Sequence, residues 1–334
     1  NSFDCCFALS FSSREVISQH VYNTLMNSKS LQDSIEAMVE EVSDLKSNDP
    51  RRKMISQMVD TCLKMAREGH DSGQIKLVTH ALKEMRYAYQ VFNRYRGTRK
   101  VSIYGSARTE ESNPDYSAAA EFGRLMASND WMAITGAGDG IMKAGHEGPK
   151  REASFGLAIR LPFETTANAI IEGDPKLINF RYFFTRKLMF MSHSDAVVAC
   201  PGGFGTQDEL FEALTLVQTG KSNIIPIVMI AGEGNDYWIN WAKHVKADLL
   251  GNGMISEEDL SLFHVAESPQ DGVDHIMQFY NMYHSSRYVR SDYVIRVNAK
   301  LTDESIDTLN DSFGDILRES KITQSGPLPS EKDH

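Results

Sequence analysis

The run Pro201-Gly202-Gly203-Phe204-Gly205-Thr206-Gln207-Asp208-Glu209 places three glycines and a hydroxyl at the start of a long amphipathic segment. Glycines at a helix start leave backbone N–H groups open to an anion, and the positive end of the helix dipole adds to the attraction. Gly202, Gly203, Phe204, Gly205 and Thr206 therefore read as a phosphate cradle. Glu209 has two readings. Thr206-x-x-Glu209 fits the capping box, in which the carboxylate only satisfies the first amides of the helix. Spacing alone favours that cap. The glycines favour a ligand, because each costs conformational entropy unless something needs the close approach. Glu212 falls one turn further on the same face. Two carboxylates beside a phosphate cradle are electrostatically unfavourable, which marks both as candidates for function.

Upstream, Arg181, Arg186 and Lys187 sit among Phe180, Tyr182, Phe183 and Phe184 in a segment read as one helix from Asn179 to about Met191. A charge cluster is ordinarily solvated surface. Here the aromatic setting suits a base and a phosphate together, and Arg186 is the basic residue singled out. Two earlier loops follow apolar runs in the same way. Tyr104-Gly105-Ser106-Ala107-Arg108 offers a backbone approach at Gly105 and the Ser106 hydroxyl, or is simply a tight turn. Thr135-Gly136-Ala137-Gly138-Asp139-Gly140-Ile141-Met142 exposes successive amides at Gly136, Gly138 and Gly140.

Several chemistries are excluded by spacing. A dinucleotide fingerprint starting at Gly136 would need glycine where Ile141 stands, and a Walker A loop ending in Gly220-Lys221-Ser222 would need glycine where Thr215 stands. No GxSxG elbow occurs, and no His/Cys/Asp set has metal-ligand spacing. His193 reads as a packing or surface histidine.

These loops need elements to hold them. From Lys100 onward β-rich runs (101–104, 131–135, 155–160, 196–200, 224–230 and 262–265) alternate with amphipathic stretches (116–128, 208–219, 237–250 and 270–283). Strand and helix in alternation imply a parallel sheet with helices on both faces, and right-handed crossovers place every loop after a strand at one edge. The expected fold is α/β and Rossmann-like. Residues 14–96 carry apolar positions at helical spacing, broken near Pro50 and Gly69–Gly73, so a helical region precedes the sheet. Beyond Tyr283, residues 293–297 read as an extra strand, 303–318 as a polar helix, and the last dozen residues as a disordered tail. The division is thus 1–97, 98–285 and 286–334.

Composition bounds the partners. The 334 residues carry a net charge of −10, with 41% apolar and 24% charged residues. That argues for a globular chain and against nucleic acid, which needs a basic face. It leaves room for a small anion held by helix N-termini and a few arginines. Cys5, Cys6, Cys62 and Cys200 make no disulfide framework. No apolar run approaches the ~18 residues of a membrane span, and the first residues lack a basic n-region. A cytoplasmic setting away from membranes is expected.

Phe184-Thr185-Arg186-Lys187 followed by Pro201-Gly-Gly-Phe-Gly-Thr-Gln-Asp-Glu209 resembles the paired Arg-Lys and PGGxGTxxE motifs of the LOG family, whose members are often misnamed lysine decarboxylases. The loop from Gly136 to Met142 and Gly105-Ser106 are similar to that family's earlier glycine loops. The likeness covers roughly residues 100–285. It implies a Rossmann-like homodimer, or higher homo-oligomer, that hydrolyses the N-glycosidic bond of a nucleoside 5′-monophosphate such as AMP or a cytokinin nucleotide. Carried over by position, Arg186 and Glu209 would be the catalytic pair. Gly202–Thr206 would hold the phosphate, and Lys187 and Thr215 would fall at binding positions. The resemblance implies no cofactor and no metal. The competing reading is a non-catalytic carrier or sensor of a nucleotide or phosphorylated cofactor. The helical extension before residue 97 and the segment after 285 depart from the short family members and leave specificity and assembly open.

Overall fold

The computed structural model describes residues 31–46, 48–160, 167–317 and 321–328. The chain divides into two compact units after His80. The first holds helix α1 (residues 31–42), α2 (Pro50–Arg67) and the start of α3 (Ser72–Phe92). Its breaks fall where punctuation is strongest. Pro50 stands at the first position of α2 with Asp49 capping it through the Arg51 amide, and Gly69 takes a positive φ between α2 and α3. Residues 14–30 of the expected helical region lie outside the described residues.

The second unit is built on seven parallel strands. They are β1 (Lys100–Tyr104), β2 (Met132–Thr135), β3 (Ser154–Ile159), β4 (Leu177–Phe180), β5 (Ala196–Ala199), β6 (Ile227–Met229) and β7 (His264–Val265), in spatial order β4-β3-β2-β1-β5-β6-β7. β1, β2 and β5 are buried along their whole length, while the edge strands β4 and β7 are partly open. Their near-continuous apolar runs are what a parallel strand covered on both faces requires. One face is packed by α4 (Pro114–Ser128), α5 (Ile141–Glu147) and α9 (Pro269–Met282) through Phe122, Met126, Ile141 and Ile276. The other is packed by the end of α3, by α6 (Phe183–His193), α7 (Phe204–Gln218) and α8 (Tyr237–His244), through Phe92, Phe190, Leu210 and Trp238. A Rossmann-like parallel sheet, preceded in the chain by a helical N-terminal region, is therefore the architecture.

The sheet order reverses between β1 and β5. The chain leaves β1 toward β2 on one side and returns after β4 to lay β5 on the other. The helices that follow these two strands pack on opposite faces of the sheet, and such a switch point is where open α/β sheets bind ligands.

Three elements depart from the expectation. Residues 177–180 pair with β3 as an edge strand, so the helix expected from Asn179 begins only at Phe183. The aromatic run hid the boundary, because a short apolar strand and a buried helical turn look alike in sequence. The segment expected as a helix over 237–250 is α-helical to His244 and widens into a π-turn over 245–250. Beyond α9, β8 (Tyr283–Val289) pairs antiparallel with β9 (Asp292–Val297) in a separate two-stranded sheet, where only the second strand is legible in sequence. Helix α10 (Asp303–Phe313) follows, and Ile322 and Gln324 hydrogen-bond back to Asn310 and Leu301. Residues 329–334 of the expected tail lie outside the described residues. Among the described residues no helix is long and apolar enough to cross a membrane.

Candidate active site

The three glycine loops are joined through the backbone of one residue. Ser106 donates its N–H to the carbonyl of Pro201 at 3.1 Å, and its carbonyl accepts from the Ile141 amide at 3.0 Å. The loop after β1 is thereby stitched between the loop after β2 and the loop after β5. Gly140 makes the second join possible. Its φ is +61°, and a Cβ there would stand 2.3 Å from the Ser106 carbonyl oxygen. The second loop is also held from beneath. Asn168 donates its amide N–H to the Ala137 carbonyl at 2.8 Å and its side chain to the Gly138 carbonyl at 2.9 Å.

Helix α7 begins at Phe204, with Gly203 as its N-cap and no side-chain cap. This removes the capping-box reading of Glu209. Thr206 lies in the first turn and Glu209 in the second, too far along to reach the free amides. The amides of Thr206 and Gln207 turn back on the Gly203 carbonyl at 3.0 and 3.1 Å, and those of Phe204 and Gly205 are left for a ligand or water. The loop is braced on its far side. Tyr237 Oη donates to the Gly202 carbonyl at 2.5 Å and accepts from Gln207 Nε2 at 2.9 Å, while Trp241 Nε1 donates to Gln207 Oε1 at 3.0 Å. Holding the Gly202 carbonyl on Tyr237 keeps that acceptor occupied away from a bound anion.

Glu209 instead meets α6. Its Oε1 lies 3.3 Å from Arg186 Nη2, and its Oε2 lies 4.0 Å from Lys187 Nζ. Lys187 is shared, with Asp208 at 2.9 Å and Glu212 at 2.8 Å. Burial pushes the Glu209 carboxyl above the ordinary carboxylate range. Arg186 and Lys187 oppose that shift, and Glu212 and Asp208 add to it. Burial pulls the Lys187 ammonium down, but its bonds to Glu212 and Asp208 outweigh this and leave it raised. The Arg186 guanidinium lies 5.1 Å from the Phe183 ring and 5.7 Å from the Phe190 ring. Its Nε–H meets no acceptor among the described residues, so the group retains donor capacity.

A cleft of about 1290 Å³ opens above this pair, somewhat larger than the ~300–1,000 Å³ of common small-molecule sites. Of the residues singled out in the sequence, Gly105, Ser106, Gly136, Gly138, Arg186, Glu209 and the run Gly202–Thr206 line it. Gly140, Lys187, Glu212 and Thr215 do not. Gly140 shapes the loop from behind, Lys187 and Glu212 pair with each other beside the cleft, and Thr215 is exposed on α7. Tyr237, Asn179 and Arg160 also line the cleft and were not anticipated. The loop after β6 must reach the same sheet edge as the others, which is the one signal that could have pointed to Tyr237.

An acidic and a basic side chain, partly buried together beside an amide-rich helix start, stand at the switch point of a Rossmann-like sheet. Residues 137–276 match the family model described as "Possible lysine decarboxylase", the LOG family, and the chain is distantly homologous to cytokinin riboside 5′-monophosphate phosphoribohydrolases. It is 28% identical over 131 residues to the probable cytokinin riboside 5′-monophosphate phosphoribohydrolase LOG4 of Oryza sativa subsp. japonica, which covers 37% of this chain and 55% of that protein. It is 28% identical over 161 residues to the corresponding Mycobacterium tuberculosis protein, covering 46% of this chain and 81% of the relative. The chain thus spans about half the length of the rice relative. Among solved structures it resembles the molybdenum cofactor carrier protein of Chlamydomonas reinhardtii, at 20% identity and a TM-score of 0.39 over 54% of this chain and 97% of that one.

Proposed function

We propose that this chain hydrolyses the N-glycosidic bond of a nucleoside 5′-monophosphate, releasing the free base and ribose 5-phosphate. The observation that carries the reading is the partly buried Arg186–Glu209 pair at 3.3 Å, lining one cleft with the glycine loops. A binding protein needs the amide cradle. It has no need of a buried carboxylate that a phosphate would repel.

The phosphate would sit on the amides of Phe204 and Gly205 at the start of α7, in the loop from Gly202 to Thr206, with Ser106 beside it. As the C1′–N bond breaks, positive charge develops on the ribose, as in glycoside hydrolysis. Glu209 would stabilise that charge and take a proton from the water whose oxygen bonds to C1′. Arg186 would hold the phosphate or the departing base, which leaves with the bonding electron pair and is protonated. Water is the only co-reactant.

A homodimer is part of the proposal. Phe183, Phe184 and Leu188 on α6 and Phe204 and Phe211 on α7 are all exposed, Phe204 at 97%. An apolar patch of this kind marks an interaction surface, and its place on the two helices that carry Arg186 and Glu209 would put a partner subunit next to the cleft.

The deciding experiment incubates the purified chain with a panel of nucleoside monophosphates and follows free base by chromatography, alongside Glu209→Ala. Base release that disappears in the variant, with the fold kept, supports the hydrolase and names its base. No release, with nucleotide bound by both proteins, would replace it with the carrier or sensor.

A further inference from the structure

We propose that Glu84, on the last part of α3, is a positioning residue for Arg186, so that the helix preceding the sheet is a working part of the site. The inference rests on the role given to Arg186 above.

Helix α6 has no cap of its own. Tyr182 stands at the N-cap without a side-chain hydrogen bond, and a tyrosine hydroxyl is too remote from its own backbone to supply one. A carboxylate from far away in the chain clasps this end instead, bonding the residue before the N-cap and a side chain of the first turn. Glu84 Oε1 accepts from the Arg181 amide at 2.8 Å, and Oε2 accepts from Thr185 Oγ1 at 2.6 Å. Thr185 is fully buried, and its hydroxyl also lies 3.0 Å from the Tyr182 carbonyl. A carboxylate at this end of a helix is favoured by the dipole.

Arg186 directly follows Thr185, and its own amide closes the same turn on the Tyr182 carbonyl at 3.3 Å. The turn that carries the guanidinium is therefore anchored at its base by Glu84. The far end of α6 is held by the same helix. The ring of His193, its last residue, stacks on Phe92 at 3.9 Å and 14°, with Tyr89 edge-on at 5.7 Å. Phe92 in turn stacks on Phe155 of β3 at 4.7 Å. The end of α3 thus splints α6 from first turn to last and ties it to the sheet. The precision matters. At 3.3 Å the Arg186–Glu209 contact is longer than a tight charge-assisted bond, ~2.7–2.9 Å, so a small shift of α6 decides whether the pair is made.

The test uses the full chain with Glu84→Ala, Glu84→Gln and Thr185→Val. Hydrogen exchange of the peptide covering 181–190 is measured with kcat and KM for base release. Glu84→Ala is expected to speed exchange there and to lower kcat by about tenfold or more with KM within about threefold. Glu84→Gln is expected to recover most of kcat, because its amide oxygen still accepts from Arg181. Thr185→Val is expected to fall between. Unchanged exchange, or a kcat within about twofold of the parent in Glu84→Ala, overturns the proposal. Should Glu84→Ala not fold, a parental kcat in Thr185→Val overturns it and a reduced one supports it. If the parent releases no base, the function proposed above fails while this inference is still judged. Faster exchange at 181–190 with AMP binding weakened as in Arg186→Ala keeps it, and unchanged exchange or binding overturns it.

Discussion

Gly202 and Thr206 are packed so closely that a Cβ on Gly202 would stand 2.1 Å from Thr206 Oγ1 and 3.0 Å from the Ser106 amide nitrogen. The neighbouring Gly203 and Gly205 have nothing within 4 Å of such a Cβ. The three glycines of one motif therefore do different jobs. Gly202 lets the protein close on itself, while Gly203 and Gly205 leave open space in front of the amides.

Gly202→Ala is expected to lower stability by about 1–3 kcal/mol through overpacking, together with nucleotide binding. Gly203→Ala is expected to keep the parental unfolding midpoint and weaken only binding. Thermal unfolding and calorimetric titration with AMP separate the two. Equal destabilisation by both substitutions would contradict this division of roles.

Glu209→Gln is expected to abolish base release, by on the order of a hundredfold or more, without loss of stability at neutral pH. The folded protein holds this carboxyl above its unfolded value, so the charged form is disfavoured by folding. A carboxyl raised in this way contributes stability present at low pH and lost as pH rises through its folded pKa. The midpoint of Glu209→Gln relative to the parent should thus climb from about pH 4.3 upward and then level off. A variant less stable than the parent at pH 7 would show that the ion pairs outweigh burial.

If Glu209 acts as a carboxylate, activity must fall when it gains a proton. The acid limb of kcat/KM is then expected above the ~4.3 of an ordinary glutamate, because burial raises this one. A pH–rate profile between 4 and 8 reads it directly. An acid limb at or below the ordinary value would mean that another group governs the rate.

His193 has the opposite sign. Burial, helped by Lys100 and Arg96, depresses its imidazole to about 4. The unfolded chain, near 6.5, binds more protons across that interval, so this contribution to stability is present above about pH 6.5 and lost as pH falls toward 4. His193→Phe, which keeps the stack on Phe92, is expected to flatten the fall of the unfolding midpoint across that window. An unchanged pH dependence would show that His193 is not the group responsible.

Leu188→Glu on the exposed face of α6 is expected to halve the mass seen by light scattering without altering the far-ultraviolet circular dichroism. A monomeric parent would remove the dimer from the proposal.

Much of the site was legible in the sequence because it is local. Glycines after apolar runs announce loops at one sheet edge, and those after β1, β2 and β5 do line one cleft. Six strands could be read from apolar stretches, β7 at one edge among them, whereas β4 could not, because its apolar residues run on into the aromatic start of α6. At the start of α7 the sequence offers two readings of Glu209, and packing removes one of them. Thr206 and Glu209 have the spacing of a capping box, but the helix is capped three residues earlier by Gly203.

What the sequence by itself determined was a parallel α/β sheet preceded by a helical region, glycine loops at a helix start, and the two residues on which to stake a reaction. Spacing put Glu209 and Glu212 on one face of α7 and Arg186 and Lys187 side by side on α6. Only the packing of those helices decided that Arg186 takes Glu209 while Lys187 takes Asp208 and Glu212. Tyr237 and Glu84 were invisible for the same cause. Each acts through a hydrogen bond to a residue 35 or 97 positions away, and a distance along the chain carries no information about a distance in space until the core has closed.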